Sequence, residues 1–301
     1  MTLSTRPSPV VVALVLVVLA SGALLFWRLR PRPVVDLAKH ERSVFSADGE
    51  DGVLERLFEI IEPESRYLVD LGAGDGIAGS SSRNLILNHG WRGLLVEAAA
   101  GRAQQLAETY ESSEQTATLH ALIDPGDIEI LLEAHGVPRN PDLLIVGLKA
   151  NDWYVWRGIR DFRPRVVQIQ YNAVFTPPQT MVIEYHPLNF WDGAMYFGAS
   201  IQSLYNLGKR KGYELVYANA SGTNLFFVDA DLYDRFGIRD NSPLLLYRPS
   251  RTLPQIPPTR VRDWMGPGGE PLPPQPPRLF VENVRIPRDY VFDDLEKGGG
   301  S

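Results

Sequence analysis

The sequence has no cysteine among its 301 residues, which excludes a disulfide, a thiolate metal site and a cysteine nucleophile. Chemistry is left to oxygen and nitrogen groups. Histidine is scarce, with five in the chain, and no second histidine or carboxylate stands at a metal-ligand spacing from His186, so no metal site is expected. A charge excess is missing too. The 30 basic and 36 acidic residues leave a net charge of −6, which gives no general pull toward nucleic acid. No internal repeat is visible, and long apolar runs are absent with one exception.

That exception runs from Val10 to Trp27, about 18 residues without a charge and close to the ~20 a helix needs to cross a bilayer. Arg6 precedes it, Arg28, Arg30 and Arg32 follow it, and Phe26 and Trp27 stand where an interfacial aromatic belt belongs. The reading is a single-pass anchor over residues 10–27 with the lipid bilayer as its partner. The positive-inside bias then places the main domain on the cytoplasmic side. A cleaved signal peptide is the competing reading, because Ser21-Gly22-Ala23 supplies small residues, although Leu24-Leu25-Phe26-Trp27 extends the apolar run past them.

The remaining organisation follows from composition. Residues 1–9 form a short tail, residues 28–40 a linker stiffened by Pro31 and Pro33, and residues 41–247 one domain of a size that supports a single core. Residues 248–301 are a proline-rich tail. Its run Pro271-Leu272-Pro273-Pro274-Gln275-Pro276-Pro277 lacks the backbone donors of a helix or sheet and is expected to be an extended linker or a docking peptide for a partner.

Within the domain, short β-rich runs alternate with helical stretches. Strands are expected at Tyr67–Leu71, Gly93–Glu97, Thr118–Leu122, Leu143–Leu148, Val166–Gln170, Glu214–Ala218 and Leu225–Val228. Helices are expected at Asp51–Ile61, Ser82–His89, Asp127–His135 and Ser200–Lys211, the last three stopped by Gly90, Gly136 and Gly212. This is the layout of an α/β fold, a Rossmann-like seven-stranded, mostly parallel sheet with helices on both faces, preceded by the membrane helix.

The chemistry begins at Val69-Asp70-Leu71-Gly72-Ala73-Gly74-Asp75-Gly76, a strand running into a glycine loop and then a helix. Glycines let backbone approach a ligand closely, and the second strand ends in Glu97, whose carboxylate can accept from both ribose hydroxyls of an adenosine. A tight turn and a solvated strand end would give the same residues no ligand at all. The run Gly74-Asp75-Gly76-Ile77-Ala78-Gly79 also spells a dinucleotide fingerprint, but that motif starts at the end of strand one, and counted from Gly72 its third glycine falls on Ile77. Asp70 and Asp75 would repel a pyrophosphate and can meet a cation. The expected ligand is S-adenosylmethionine (SAM), held by Asp70, Gly72, Gly74, Asp75, Gly76 and Glu97.

These stretches, with Phe45-Ser46, Asp48-Gly49-Glu50-Asp51-Gly52, the run from Ser82 to Ala98, Asn151 to Trp156, and Trp191-Asp192-Gly193 through Gly198-Ala199-Ser200, resemble the FkbM-like group of SAM-dependent methyltransferases. The resemblance implies O-methylation of a sugar or other hydroxylated small molecule. The chain departs from the group's pattern at strand ends. Gly147-Leu148-Lys149-Ala150-Asn151-Asp152 stands where the resemblance implies an acidic D-I-D-G-N-D, Ala98-Ala99-Ala100-Gly101 lacks an acid, and Gln170 begins a Gln170-Tyr171-Asn172 where a glutamate would stand. Lys149 in particular can bring a positive charge toward a cationic donor.

Candidates for acid–base chemistry are Asp152, Asn172 and His186. Asp152 reads equally well as a helix cap, and His186 as an exposed loop residue. Tyr171 is a further polar group beside them. Trp153, Tyr154 and Trp156 offer a surface for a sugar ring or, more simply, core packing. Two functions remain open: a membrane-anchored methyltransferase, and a catalytically degenerate SAM-binding or scaffold domain.

Overall fold

The computed structural model describes residues 33–188, 191 and 195–251. The anchor at 10–27 and all but the first residues of the proline-rich tail lie outside that range, as do Asp192 and Gly193. Among the described residues no helix is long and apolar enough to cross a membrane.

The strands are β1 (Tyr67–Leu71), β2 (Arg92–Glu97), β3 (Thr116–His120), β4 (Leu143–Val146), β5 (Val166–Gln170), β6 (Tyr213–Ala218) and β7 (Asn224–Asp229). The helices are α1 (Glu50–Ile61), α2 (Arg83–His89), α3 (Ala100–Thr109), α4 (Ile128–Ala134), α5 (Asp152–Gly158), α6 (Ile201–Arg210) and α7 (Pro243–Leu246). One seven-stranded sheet has the order β3-β2-β1-β4-β5-β7-β6, with β7 antiparallel to both of its neighbours and the other pairings parallel. The expected α/β sheet is therefore present, mixed at one edge.

Strand parity divides the core. Val69, Val96, Val146, Ile169 and Phe227 face a cluster built with α4, α5 and α6, whereas Leu68, Leu95, Ile145, Val166 and Phe226 face one built with α1, α2 and α3. α1 presents Val53, Leu54, Leu57, Phe58 and Ile61 on one stripe, the spacing an amphipathic helix requires. Gly90, Gly136 and Gly212 take φ of 67°, 65° and 76° just past their helices, the left-handed conformation that lets a chain leave a helix without a Cβ clash.

Most expected boundaries fall within one residue of those observed, and the larger departures have identifiable causes. β3 starts two residues early, because this edge strand is only half-buried and shows no clean alternation. β4 stops at Val146, since Lys149 adopts φ 54° and the chain turns. α3 was not expected at all. Ordered packing also begins ahead of Glu41: the Val35 N–H donates to Phe236 O at 2.9 Å, and Leu37 is buried against the α1 cluster.

Candidate functional site

The parity that puts Leu68 and Leu95 on the α1–α3 face also puts Asp70, Glu97, Gly147, Gln168, Gln170 and Asn224 there, toward the carboxyl ends of the parallel strands, where the antiparallel β7 begins with Asn224. The helices do not cover those ends. A cleft of about 540 Å³ opens instead, within the range typical of small-molecule sites, roofed by the loop before α1 and floored by the sheet.

At the β1–β2 end the glycine loop divides labour among its members. Gly72 has φ 96°, and a Cβ there would stand 2.6 Å from Gly147 O, so only glycine lets β1 and β4 exit side by side. Gly74 meets nothing within 4 Å and lines the cleft. Gly76 turns the other way: a Cβ would strike Tyr110 and Leu106, so its smallness serves packing under α3. Asp75 also leaves the cleft wall. Its Oδ1 accepts from Ile77 N and Ala78 N at 2.8 and 2.9 Å, which closes the turn and holds the carboxyl below its ordinary range. Asp75 and Gly76 thus shape the loop and are not placed to touch a ligand.

Glu97 is nearly buried. Its Oε2 accepts from Gly74 N at 2.9 Å and its Oε1 from Ala99 N at 2.8 Å, while Arg102 Nε stands 3.7 Å away. Each oxygen keeps a second lone pair for a ligand hydroxyl. Asp70 is buried on the cleft floor, where its Oδ2 accepts from Ser82 Oγ at 2.7 Å. Burial pushes its carboxyl up to about 6 against the Ser82 hydrogen bond, and the charge of Glu97 adds to the rise.

Lys149 lines the cleft, and its Nζ lies 4.5 Å from the centroid of the Trp191 ring. A cation on an aromatic face is partly neutralised there without a counter-ion. The ammonium that the sequence could bring toward a cationic donor stands against the Trp191 ring on the cleft wall.

None of the three acid–base candidates joins the cleft. Asp152 is 0% exposed, with Oδ1 accepting from Leu148 N at 2.9 Å and Oδ2 from Ala150 N at 2.7 Å. It fastens the β4–α5 loop and the left-handed Lys149 within it. Burial pushes its carboxyl up to about 6 even so. Asn172 is also 0% exposed, and its amide donates to Met195 O and Phe197 O while its Oδ1 accepts from Val174 N. His186 is exposed, its Nδ1 accepting from Leu188 N, and only its successor Pro187 reaches the rim. These placements correct the expectation of a base at Asp152, Asn172 or His186. Tyr171 is likewise internal, donating to Arg248 O at 2.6 Å. Trp153, Tyr154 and Trp156 are buried in the core and do not present a surface for a sugar.

Sequence reasoning named Asp48, Glu50 and Gln170 only for the resemblance, passed over Gln168, and gave the polar groups at the far end of the cleft no role. Glu50 opens α1, with Oε1 accepting from Asn219 Nδ2 and Asn224 Nδ2 at 3.0 and 2.7 Å and Oε2 from Asp48 N at 2.8 Å. Burial holds its carboxyl above the ordinary range. Asp48 Oδ2 accepts from Thr223 Oγ1 at 3.1 Å. Gln168 and Gln170 project from β5 between them and the β4 end. The signal was available: two glutamines at i and i+2 in the apolar strand Val-Val-Gln-Ile-Gln share one face.

No family model and no curated relative matches the chain. Among solved structures it is similar to the citrinin polyketide synthase CMeT domain, at 12% identity and TM-score 0.39 over 60% of this chain and 51% of that one. It is similar to magnesium protoporphyrin IX methyltransferase from Synechocystis PCC 6803, solved with bound SAM, at 10% identity and TM-score 0.39 over 60% and 77%. A third is TehB from Haemophilus influenzae, at 15% identity and TM-score 0.36 over 59% and 62%. The chain thus spans about half the length of the first and under two thirds of the third. Likeness at this level extends no further than the path of the chain, and what the cleft binds follows from its own residues.

Proposed function

We propose that the chain is a SAM-dependent methyltransferase of the FkbM-like kind, transferring methyl to oxygen on a sugar or other hydroxylated acceptor and tethered to a membrane through residues 10–27. The observation that carries the cofactor is the junction of Gly72, Gly74, Asp70 and Glu97 at one end of an enclosed cleft. The free lone pairs of Glu97 suit ribose hydroxyls, Leu122 and Ile123 at the end of β3 offer an apolar wall for a purine, and Asp70 offers charge to a cation. When bound, SAM supplies an electrophilic methyl on a sulfonium. The chain's own task is to align an acceptor hydroxyl and remove its proton as the new C–O bond forms. With the earlier candidates outside the cleft, Asp48 and Glu50 are the carboxylates that line its far end.

A second reading is a degenerate domain that binds SAM, or only a partner, without turnover. The Gly147-Leu148-Lys149-Ala150 stretch favours it, since the wall at β4 carries a lysine and no acid. Calorimetric titration of the full chain with SAM and S-adenosylhomocysteine separates the two. Binding of both with methyl transfer to a hydroxylated acceptor panel supports the enzyme, binding without transfer supports the degenerate domain, and no binding by a folded chain refutes the cofactor. For the tether, removing the residues before Val35 should release the protein from membranes, and retention after a salt wash would refute the anchor.

A further inference from the structure

Among the described residues, two buried side-chain oxygens of cleft-lining residues have no hydrogen-bond partner: Gln168 Oε1 and Gln170 Oε1. Gln168 is 2% exposed and lies in the middle of β5, where an unpaired amide oxygen is destabilising unless something donates to it. The neighbouring donors do not serve it. Gln168 Nε2 is turned onto Ser81 Oγ at 3.0 Å, Asn224 Nδ2 onto Glu50, and Thr223 Oγ1 onto Asp48. The ladder places Gln170 directly beside Asn224, which brings Glu50 into the same corner. The corner therefore holds two amide oxygens without a donor, just beneath its surface, beside the carboxylates of Asp48 and Glu50. The cleft's two basic residues are engaged elsewhere, Arg102 beside Glu97 and Lys149 on Trp191.

A hydroxyl both donates and accepts, whereas an ammonium only donates, up to three times, and carries the charge that two carboxylates attract. We infer that this corner is an ammonium-binding subsite, so that the molecule seated beside the cofactor is an amine-bearing one, held by its ammonium over β5 and β7 while another of its groups meets the methyl donor. The inference deepens the methyltransferase reading and rests on it for the word acceptor. Position supports the division of the cleft, because β5 lies three strand spacings of about 4.8 Å from β2, roughly 14 Å from the Glu97 end. Anionic acceptors are excluded by the same carboxylates.

The test is competitive and calorimetric titration of the full chain with glucosamine and glucose, which differ at one carbon by an ammonium against a hydroxyl, each with and without SAM. Glucosamine should bind more tightly by roughly tenfold, the ratio that charge-assisted over neutral hydrogen bonds provides. Gln170→Glu should widen that ratio by adding charge, and Gln168→Leu, which fills the same volume without an acceptor, should narrow it. Equal affinity for the two sugars, or no binding of either, overturns the subsite. So does a fall in SAM affinity in Gln168→Leu with the sugar ratio unchanged, which assigns these oxygens to the cofactor's own amino group. If glucosamine is preferred by a chain that never binds SAM, the subsite stands and the methyltransferase reading fails.

Discussion

Asp70 allows the cleft's electrostatics to be tested without any ligand. Burial pushes its carboxyl up to about 6 from an ordinary 3.8, the Ser82 hydroxyl opposes that, and Glu97 adds to it. Between those two values the folded chain holds a proton that the unfolded chain has released, so the native state binds more protons and stability falls as pH rises. The contribution is fully present below pH 3.8 and lost on passing through about 6. At about 1.36 kcal/mol per unit, the loss amounts to about 3 kcal/mol. Asp70→Asn does not titrate, is nearly isosteric and keeps an oxygen for Ser82 Oγ. Urea unfolding of parent and variant at intervals between pH 4 and 8 should show the variant gaining on the parent by about 3 kcal/mol across that range, with most of the gain complete by pH 7. Asp152 titrates in the same window but is common to both proteins, so the difference isolates Asp70. The variant should also bind SAM less tightly, because the charge it lacks is the one a cation would meet. A stability difference that stays constant from pH 4 to 8 would refute the reasoning.

Other substitutions probe the remaining parts. Asp142 is 0% exposed, its carboxyl held below the ordinary range against its burial by backbone donors at Glu64, Ser65 and Arg66 and by Arg165 Nη1 at 2.8 Å. Asp142→Ala leaves Arg165 with two carbonyls and the exposed Glu64, strips the Glu64, Ser65 and Arg66 N–H groups of their acceptor, and should destabilise by about 3 kcal/mol in urea unfolding, with partial recovery on adding Arg165→Met. Glu97→Ala should weaken SAM binding by about 1.5–3 kcal/mol, and, because Glu97 also holds Gly74 N and Ala99 N, should lower the unfolding midpoint as well. Intact SAM affinity in a parent that binds and a variant that folds would show the ribose lies elsewhere. Trp191→Ala should weaken SAM binding by freeing the Lys149 ammonium, and Lys149→Ala in the same chain should restore it. Calorimetry showing no recovery in the double variant would mean the cation–π contact is not what keeps that charge off the ligand.

The fold was legible where local chemistry and burial agree. β1 and β5 read correctly to the residue because both are apolar runs bounded by turns and buried along most of their length. The three cap glycines read correctly because a positive φ leaves few other choices. α3 was illegible because Ala99-Ala100-Gly101 gives no capping side chain and only Ala103 and Leu106 are buried along its length, so no apolar stripe announces it. The end of β4 was illegible for a nonlocal reason. Leu148 continues the apolar pattern, but Asp152 draws the N–H groups of Leu148 and Ala150 toward itself, and a carboxylate four residues ahead outweighs one more apolar residue.

The site divides along the same line. Its β1–β2 end is a contiguous motif plus one acid at a fixed distance, and such a signal survives without coordinates. The polar residues singled out beyond β4 were picked by type, and type does not separate a group that serves the fold from one that serves a ligand. Placement does. Asn172 and Asp152 spend their hydrogen bonds on backbone groups that hold loops together, and neither lines the cleft. Gln168 is buried and Gln170 half-buried in the same sheet, with a buried oxygen each left over. Other unpartnered buried atoms, such as both polar atoms of Gln179, lie away from the cleft, whereas these two glutamines line it on one face of one strand, where a ligand's donor offsets the missing bond.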